Sequence, residues 1–503
     1  MISVETKSAS ACHSRTRGCR ILLPLALWLT IHAQAQPSNS TGRVVGRNGY
    51  CEELTDSASA VQAPALRADF LLKTLDLCPS TSPPRRKAIL ETVLRTADQV
   101  EQLFPTEPVP VGFTDTEPAL AAIASDLGVD RLSLKLRSIS ALSDVDPRTA
   151  RTWFETLAPT QPVPLTCEDF QVPRLRQYYQ VLGDLTDRSF STEESQRGQR
   201  DAFLTSHLFP ASAPAHVLGI LYFLSEAKLP GKTLENLLAV LTSQLHDIQA
   251  DDRSFSVHLL SEGGQNRLRV LVSRCQAEGI AVAAFLSAFR EYYARHLKQP
   301  RCADMVRSKP LQEREASALQ QVDLMAGAHL NEARLDLKSI VSAKLVESRP
   351  PLDLVADTPE YREWFQTLID RKKGTPGSEA PASVFDRVLR EVEDWKKSRK
   401  LSARQFFQIK ALVLARVMQQ ASGADETKKA ASVYAEFFGR AEEIRQHFAA
   451  EWLYSAKSFL SLCRRTGDLR EQLYQIVENN RDITLSTYAR LDRAMQKGPR
   501  SGY

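Results

Sequence analysis

The chain has 503 residues, 43% hydrophobic and 25% charged, and its 65 Lys and Arg against 60 Asp and Glu give a formal net charge of +5. That is the composition of an ordinary folded chain, and it excludes a collagen-like repeat, a wholly disordered chain, a multi-span membrane protein and a small disulfide-dense scaffold. At about 100–200 residues per domain, the length accommodates two to four domains or one continuous repeat array.

Residues 1–35 read as a secretory signal. Lys7, Arg15, Arg17 and Arg20 precede the apolar run from Ile21 to Ile31, and Ala33-Gln34-Ala35 supplies a small-x-small cleavage site, which together are the three parts of an export leader. The alternative is a retained anchor, but as a helix the run rises only about 16 Å, about half a bilayer's hydrocarbon core. Cleavage after Ala35 makes Gln36 the first residue and leaves no integral membrane span. The four basic residues against Glu5 carry +3 of the +5, so the mature chain keeps +2. A near-neutral surface gives no case for nucleic acid or an anionic membrane as partner.

Residues 36–64 read as a flexible leader, whose first part, Gln36 to Gly49, is rich in Ser, Asn, Gly and Pro and has little to bury. From Ala65 the pattern is helical. Leu66, Phe70, Leu71 and Leu75 recur at three-to-four spacing, as do Ile89, Val93, Leu94 and Val100, and Leu237, Leu238, Leu241 and Leu245. Leu132-Ser-Leu-Lys-Leu-Arg-Ser138 alternates like a strand, but Leu132, Leu136, Ile139 and Leu142 fit one helical face, and a lone strand has nothing to pair with. Ser402 and Gln405 form a capping box that opens a helix running to Met418. Arg95-Thr96-Ala97 followed by Leu103-Phe-Pro-Thr-Glu-Pro-Val-Pro110 recurs as Arg148-Thr149-Ala150 followed by Leu157-Ala-Pro-Thr-Gln-Pro-Val-Pro164. Such an offset is what stacked helical hairpins produce.

These patterns predict an all-α fold: a solenoid-like array of helical hairpins over 65–350, a linker-containing segment over 351–382, and a C-terminal helical region or bundle over 383–503. The linker is marked by Glu347-Ser-Arg-Pro-Pro351 and by Lys373-Gly-Thr-Pro-Gly-Ser-Glu-Ala-Pro381.

Six cysteines remain after the signal, an even number suited to an oxidising compartment. Cys51 and Cys78 are 27 residues apart, as are Cys275 and Cys302, and each interval holds one helical stretch ended by a Pro-bearing turn. Local pairing of Cys51 with Cys78 and of Cys275 with Cys302 is therefore expected, with Cys167 to Cys463 left by elimination. The alternative is that some stay free as small buried hydrophobes.

Catalytic motifs are absent from the sequence: there is no His-Glu-x-x-His, no Cys-x-x-Cys and no Gly-x-Ser-x-Gly. His246-Asp247, Asp251-Asp252 and His258 are the nearest approach to a metal cluster, and read as a solvated helix end leading into the next helix. Gly231-Lys232-Thr233 lacks the earlier glycine of a phosphate loop, and Gly263-Gly264-Gln265 reads as a turn. No cofactor, metal or catalytic residue is proposed. Tyr178-Tyr179 and Tyr292-Tyr293 lie in similar helical stretches, and neighbours on a helix point about 100° apart. One of each pair is expected in the core, and the outer one either at the boundary or lining a ligand groove.

The stretch Leu132 to Ser138, with Asp146 to Glu155 and Cys167-Glu168-Asp169, resembles a pattern in uncharacterised exported helical-repeat proteins of bacteria. The resemblance covers about residues 65–185. It implies a helical-repeat fold and a periplasmic or extracellular location, and carries no site residue. The expected function is binding or scaffolding of a protein or peptide. The alternative is a carbohydrate-active hydrolase or lyase on an all-helical toroid, whose paired carboxylates would need aromatic platforms.

Overall fold

Proline sets many of the helix starts. It occupies the first turn of the helices beginning near Pro64, Pro83, Glu117, Pro147, Pro214 and Pro381, where its missing N–H costs no hydrogen bond and its fixed φ suits the helix. Side-chain caps from Thr116, Asp130, Asp146, Ser191, Asp251 and Ser402 satisfy first-turn N–H groups, those of Thr116 and Asp146 on two of the same helices. The Ser402–Gln405 capping box forms as expected.

The computed structural model describes residues 47–109, 116–157, 162–249, 251–259, 262–330, 344–351, 353–354, 358–373 and 380–497. The expected signal and residues 36–46 of the leader lie outside them; the rest of the leader is not flexible, since it holds a helix over Arg47–Ser59 that buries Leu54 and Ala58 in the core. The fold is all-α, with 24 helices among the described residues. They are α1 (Arg47–Ser59), α2 (Pro64–Leu77), α3 (Pro83–Ala97), α4 (Glu117–Ser125), α5 (Arg131–Ser143), α6 (Pro147–Glu155), α7 (Arg176–Arg188) and α8 (Thr192–Gln196). There follow α9 (Gln199–Leu208), α10 (Pro214–Glu226), α11 (Gly231–Gln244), α12 (Asp252–His258), α13 (Glu262–Ala277), α14 (Ala283–Leu297), α15 (Ala303–Arg307) and α16 (Lys309–Leu330). The last eight are α17 (Pro359–Lys373), α18 (Pro381–Asp394), α19 (Ala403–Gln420), α20 (Ala424–Gly439), α21 (Glu442–His447), α22 (Ala449–Arg464), α23 (Arg470–Glu478) and α24 (Ile483–Lys497). A 3-10 turn (Gly467–Leu469) and two small ladders complete the described elements: β1 (Thr106–Pro108) runs antiparallel to β2 (Gln171–Pro173), and β3 (Arg301–Cys302) parallel to β4 (Leu345–Val346).

The stretch from Leu132 to Ser138 is helical, within α5. Asp130 caps it by accepting from Ser133 N. Its alternation arises because Ser133 and Ser138 are buried together with Leu132, Leu134 and Leu136, as α2, α3, α6 and α7 all pack on α5. The repeated sequences occupy different places: Arg95-Thr96-Ala97 closes α3, whereas Arg148-Thr149-Ala150 lies in α6 near its start. Gly263-Gly264-Gln265, expected as a turn, belongs to the first turn of α13. A Cβ on Gly264 would stand 2.5 Å from the His258 carbonyl, so the close approach of α12 requires glycine.

Packing order departs from chain order. From α2 the neighbours run α3, α5, α7, α10, α13 and α16 in one direction, and α24, α23, α20, α19 and α17 in the other. Phe70 stacks on Tyr488 at 5.5 Å, and Glu53 pairs with Arg490 at 3.1 Å. One apolar core therefore includes residues from Leu54 to Leu491, and the helices after Pro381 join it through the N-terminal hairpin and through α4, on which α22 packs. Gly46–Tyr503 is one compact unit.

Cys51 and Cys78 are bonded as expected, because the α1–α2 hairpin brings its two ends together. The other two expected pairings are corrected. Cys302 bonds to Cys167, while Cys275 and Cys463 are free and buried. The reason lies in packing: Cys275 and Cys463 belong to the main core, whereas Cys302 sits with Val109, Val172 and Met305 in a small separate cluster against which Cys167 packs. The matched 27-residue spacing is coincidental.

Candidate functional site

Helix α7 has two faces. Val181, Leu182 and Leu185 are buried, while Gln177, Gln180, Asp184 and Asp187 recur at three-to-four spacing and line an open groove of about 1090 Å³. The opposite walls come from Leu72 and Asp76 of α2, Arg137 of α5 and Asp144 just after it, and Tyr222 and Glu226 of α10, with Arg86 of α3 and Lys228 beyond α10. The groove is mixed in charge and mostly polar.

Its charges are held in place. Arg137 pairs with the buried Asp69 at 2.9 Å, and Arg188 with Asp144 at 2.8 Å. Tyr222 lies under two guanidinium groups, those of Arg176 at 4.0 Å and Arg267 at 4.3 Å, and Arg267 is itself paired with Glu226 at 2.5 Å. Asp76 and Asp184 can reach solvent, yet the surrounding walls withdraw water and raise both carboxyls above the usual range, against the lowering effect of Arg137 on Asp76 and Arg188 on Asp184.

The four expected tyrosines are all buried, so neither pair places a ring at an exposed rim. Tyr179 alone of the four touches the groove. Its ring lies against α10 at Gly219, where a Cβ would stand 2.3 Å from it. The Tyr178 hydroxyl is hydrogen-bonded to His207 Nδ1 at 2.6 Å and that of Tyr179 to His216 Nδ1 at 2.8 Å. Tyr293 donates to the Leu259 carbonyl at 3.1 Å, and Tyr292 is buried beside Phe255. The groove carboxylates and arginines were missed because a charged stripe on a helix is by default a solvated face. Their signal was the three-to-four recurrence of Gln177, Gln180, Asp184 and Asp187.

Burial pushes His207 and His216 down to about 4. A base with a depressed folded pKa stabilises the fold when neutral, and that contribution is lost as pH falls from about 6.5 toward 4. Each histidine is expected to cost the fold about 2 kcal/mol between pH 7 and pH 5. Asp130 and Asp251, raised by burial to about 6, act in the opposite sense, since protonation relieves them. The histidine effect is therefore read by comparing chains: His216→Asn should lose less melting temperature than wild type over that interval, and equal losses would refute the assignment.

The expected near-metal residues are dispersed into other roles. Asp251 caps α12 by accepting from Ser254 N, and Asp252 binds Arg301 Nε at 3.0 Å and Cys302 N at 2.8 Å. Both aspartates are buried rather than solvated, which corrects that expectation. Among the described residues no group of three His, Cys, Asp or Glu is placed to hold a metal ion, and no helix is long and apolar enough to cross a membrane. Compared with protein-family models, curated proteins and solved structures, the chain matches none.

Proposed function

We propose that this is an exported binding or scaffolding protein whose ligand is an extended peptide segment lying in the α2–α5–α7–α10 groove. The observation that carries this reading is the charge of the groove: Asp76, Asp144, Asp184, Asp187 and Glu226 face Arg86, Arg137, Arg188 and Lys228. A lining with both signs at close spacing complements a chain with both signs along it, such as a peptide, better than a uniformly charged polymer. Export is supported by the N-terminal signal pattern and by two disulfides. The successive helix packing supports an array whose groove is one of its faces.

The test is selection from a displayed library of dodecapeptides. Peptides carrying both charges should be enriched, and reversing Asp184 and Asp187 to lysine should weaken the best of them about tenfold without lowering the melting temperature. Retention of affinity in that variant would place the ligand elsewhere.

A second reading rests on Asp76 and Asp184, two groove carboxyls raised in pKa near Tyr179 and Tyr222. In it the groove takes a glycan, and one of these groups is the general acid. Cleavage of a polysaccharide that is lost in Asp184→Asn would favour it over peptide binding.

A further inference from the structure

Four cationic side chains are buried among the described residues: Arg253, Arg301, Arg371 and Lys410. Three have a carboxylate partner, Arg253 in Asp304 at 2.8 Å, Arg301 in Asp252 at 3.0 Å and Arg371 in Glu426 at 3.0 Å. Among the described residues Lys410 has no carboxylate within ion-pair distance. Its ammonium donates to the main-chain carbonyls of Glu393 at 2.9 Å and Trp395 at 2.8 Å, at the C-terminal end of α18. An ammonium has three N–H donors, so these two bonds leave one. The Phe406 and Phe437 rings lie 5.5 and 5.8 Å from the nitrogen. A lysine can cap a helix end from the surface with its stem folded down. Burying the ammonium beneath two phenylalanines without a counter-charge adds a desolvation cost that capping does not require.

That unpaired cation lines a cavity. The space between α18, α19, α20 and α21 has a volume of about 320 Å³, at the small end of the ~300–1,000 Å³ range of ligand pockets. Its walls include Ala403, Phe406, Phe407, Val433, Phe437 and Ile444. We propose that this cavity binds an organic monocarboxylate with an apolar body, its carboxylate on Lys410 and its hydrocarbon against the phenylalanines. A neutral ligand would leave the cation unpaired, and a cationic one would be repelled.

The other charges facing Lys410 are Glu393 and Asp394 at the end of α18, Lys397 after it, Glu436 on α20, and Arg440 and Glu443 around α21. Glu436 pairs with Arg440 at 2.8 Å, and Glu436 and Glu443 are exposed, where water and salt screen their repulsion of an incoming anion. Burial, helped by the positive charge of Arg440, lowers Lys410 to about 8, so it is mostly charged at neutral pH.

The experiment is calorimetric titration of the full chain with decanoate, decanol and decylamine. Decanoate should bind about tenfold or more tightly than decanol, and decylamine more weakly than either. Lys410→Met keeps an unbranched apolar stem without the charge and should erase the decanoate preference, with its fold checked by circular dichroism and melting. On the wild-type chain the preference should also fade as pH rises from 7 to 9, because Lys410 sheds its charge. Equal binding of decanoate and decanol, or a preference that survives Lys410→Met, would overturn the proposal. If the variant does not fold, the wild-type pH series decides alone, and a preference unchanged at pH 9 overturns it.

Discussion

Asp252→Ala should lower the unfolding free energy by about 3–5 kcal/mol, seen as a fall in urea midpoint with little change in slope. The carboxylate is buried at the start of α12 and serves three groups that come from distant parts of the chain: Arg301 Nε at 3.0 Å, His296 Nε2 at 3.3 Å and Cys302 N at 2.8 Å. Arg301 is buried as well, and Glu315 at 2.5 Å would be its one remaining carboxylate. Removing Asp252 thus strands half the compensation of a buried guanidinium and a buried main-chain N–H at once. Burial opposes ionisation of Asp252, but the hydrogen bond from His296 and the charge of Arg301 outweigh it and hold the carboxyl below its usual range. For an acid with a depressed folded pKa the stabilisation is present above the ordinary carboxylate range and is lost as pH falls through the folded value. The difference between wild type and Asp252→Ala should therefore narrow in strong acid. Asp252→Asn keeps the shape and one acceptor and should cost about 1–3 kcal/mol. An alanine variant within about 1 kcal/mol of wild type would mean that Glu315 alone satisfies Arg301.

What could be read from the sequence was local. The α19 capping box needs residues three apart, the Cys51–Cys78 bond needs one hairpin, and α5 needs one helical face; each is decided within a short window. The Cys167–Cys302 bond, the β1–β2 ladder and the Asp252–Arg301 pair join segments 49 to 135 residues apart, and no periodicity carries that information. The tyrosine pairs show the same limit from the other side. Helical geometry correctly separates Tyr178 from Tyr179 by direction, but cannot say that α10 stands where the second ring points, with Gly219 making room for it. The groove failed to stand out because its residues are individually ordinary surface charges, and only the arrangement of α2, α5, α7 and α10 turns them toward one another. Lys410 failed for a similar reason: a lysine four positions after Phe406 in an amphipathic helix looks like an edge residue until α20 and α21 cover it.

The two disulfides should differ in what their loss costs. Cys51–Cys78 closes 27 residues and Cys167–Cys302 closes 135. Loop-closure entropy gives about 3.5 kcal/mol for the first and about 5 kcal/mol for the second. Local structure widens the gap. The longer bond lies in a small cluster with Val109, Val172 and Met305, apart from the main core, and so has few apolar contacts to hold it once the bond is gone. Arg253 also bonds the Cys167 carbonyl, and Asp252 the Cys302 N–H, so that loosening either cysteine exposes buried charge. Paired serine substitutions under oxidising conditions should therefore lower the melting temperature more for Cys167 and Cys302 than for Cys51 and Cys78. Thiol titration supplies an independent check on the pairing. Cys275 and Cys463 are buried, and burial pushes both thiols up, Cys463 to about 12, so they should be unreactive until the chain unfolds. A chain beginning at Gln36 should then show no accessible thiol when native and two when denatured, both mapping to Cys275 and Cys463. A native thiol at Cys302, or a larger loss from the Cys51–Cys78 pair, would refute this account of how the long loop is held.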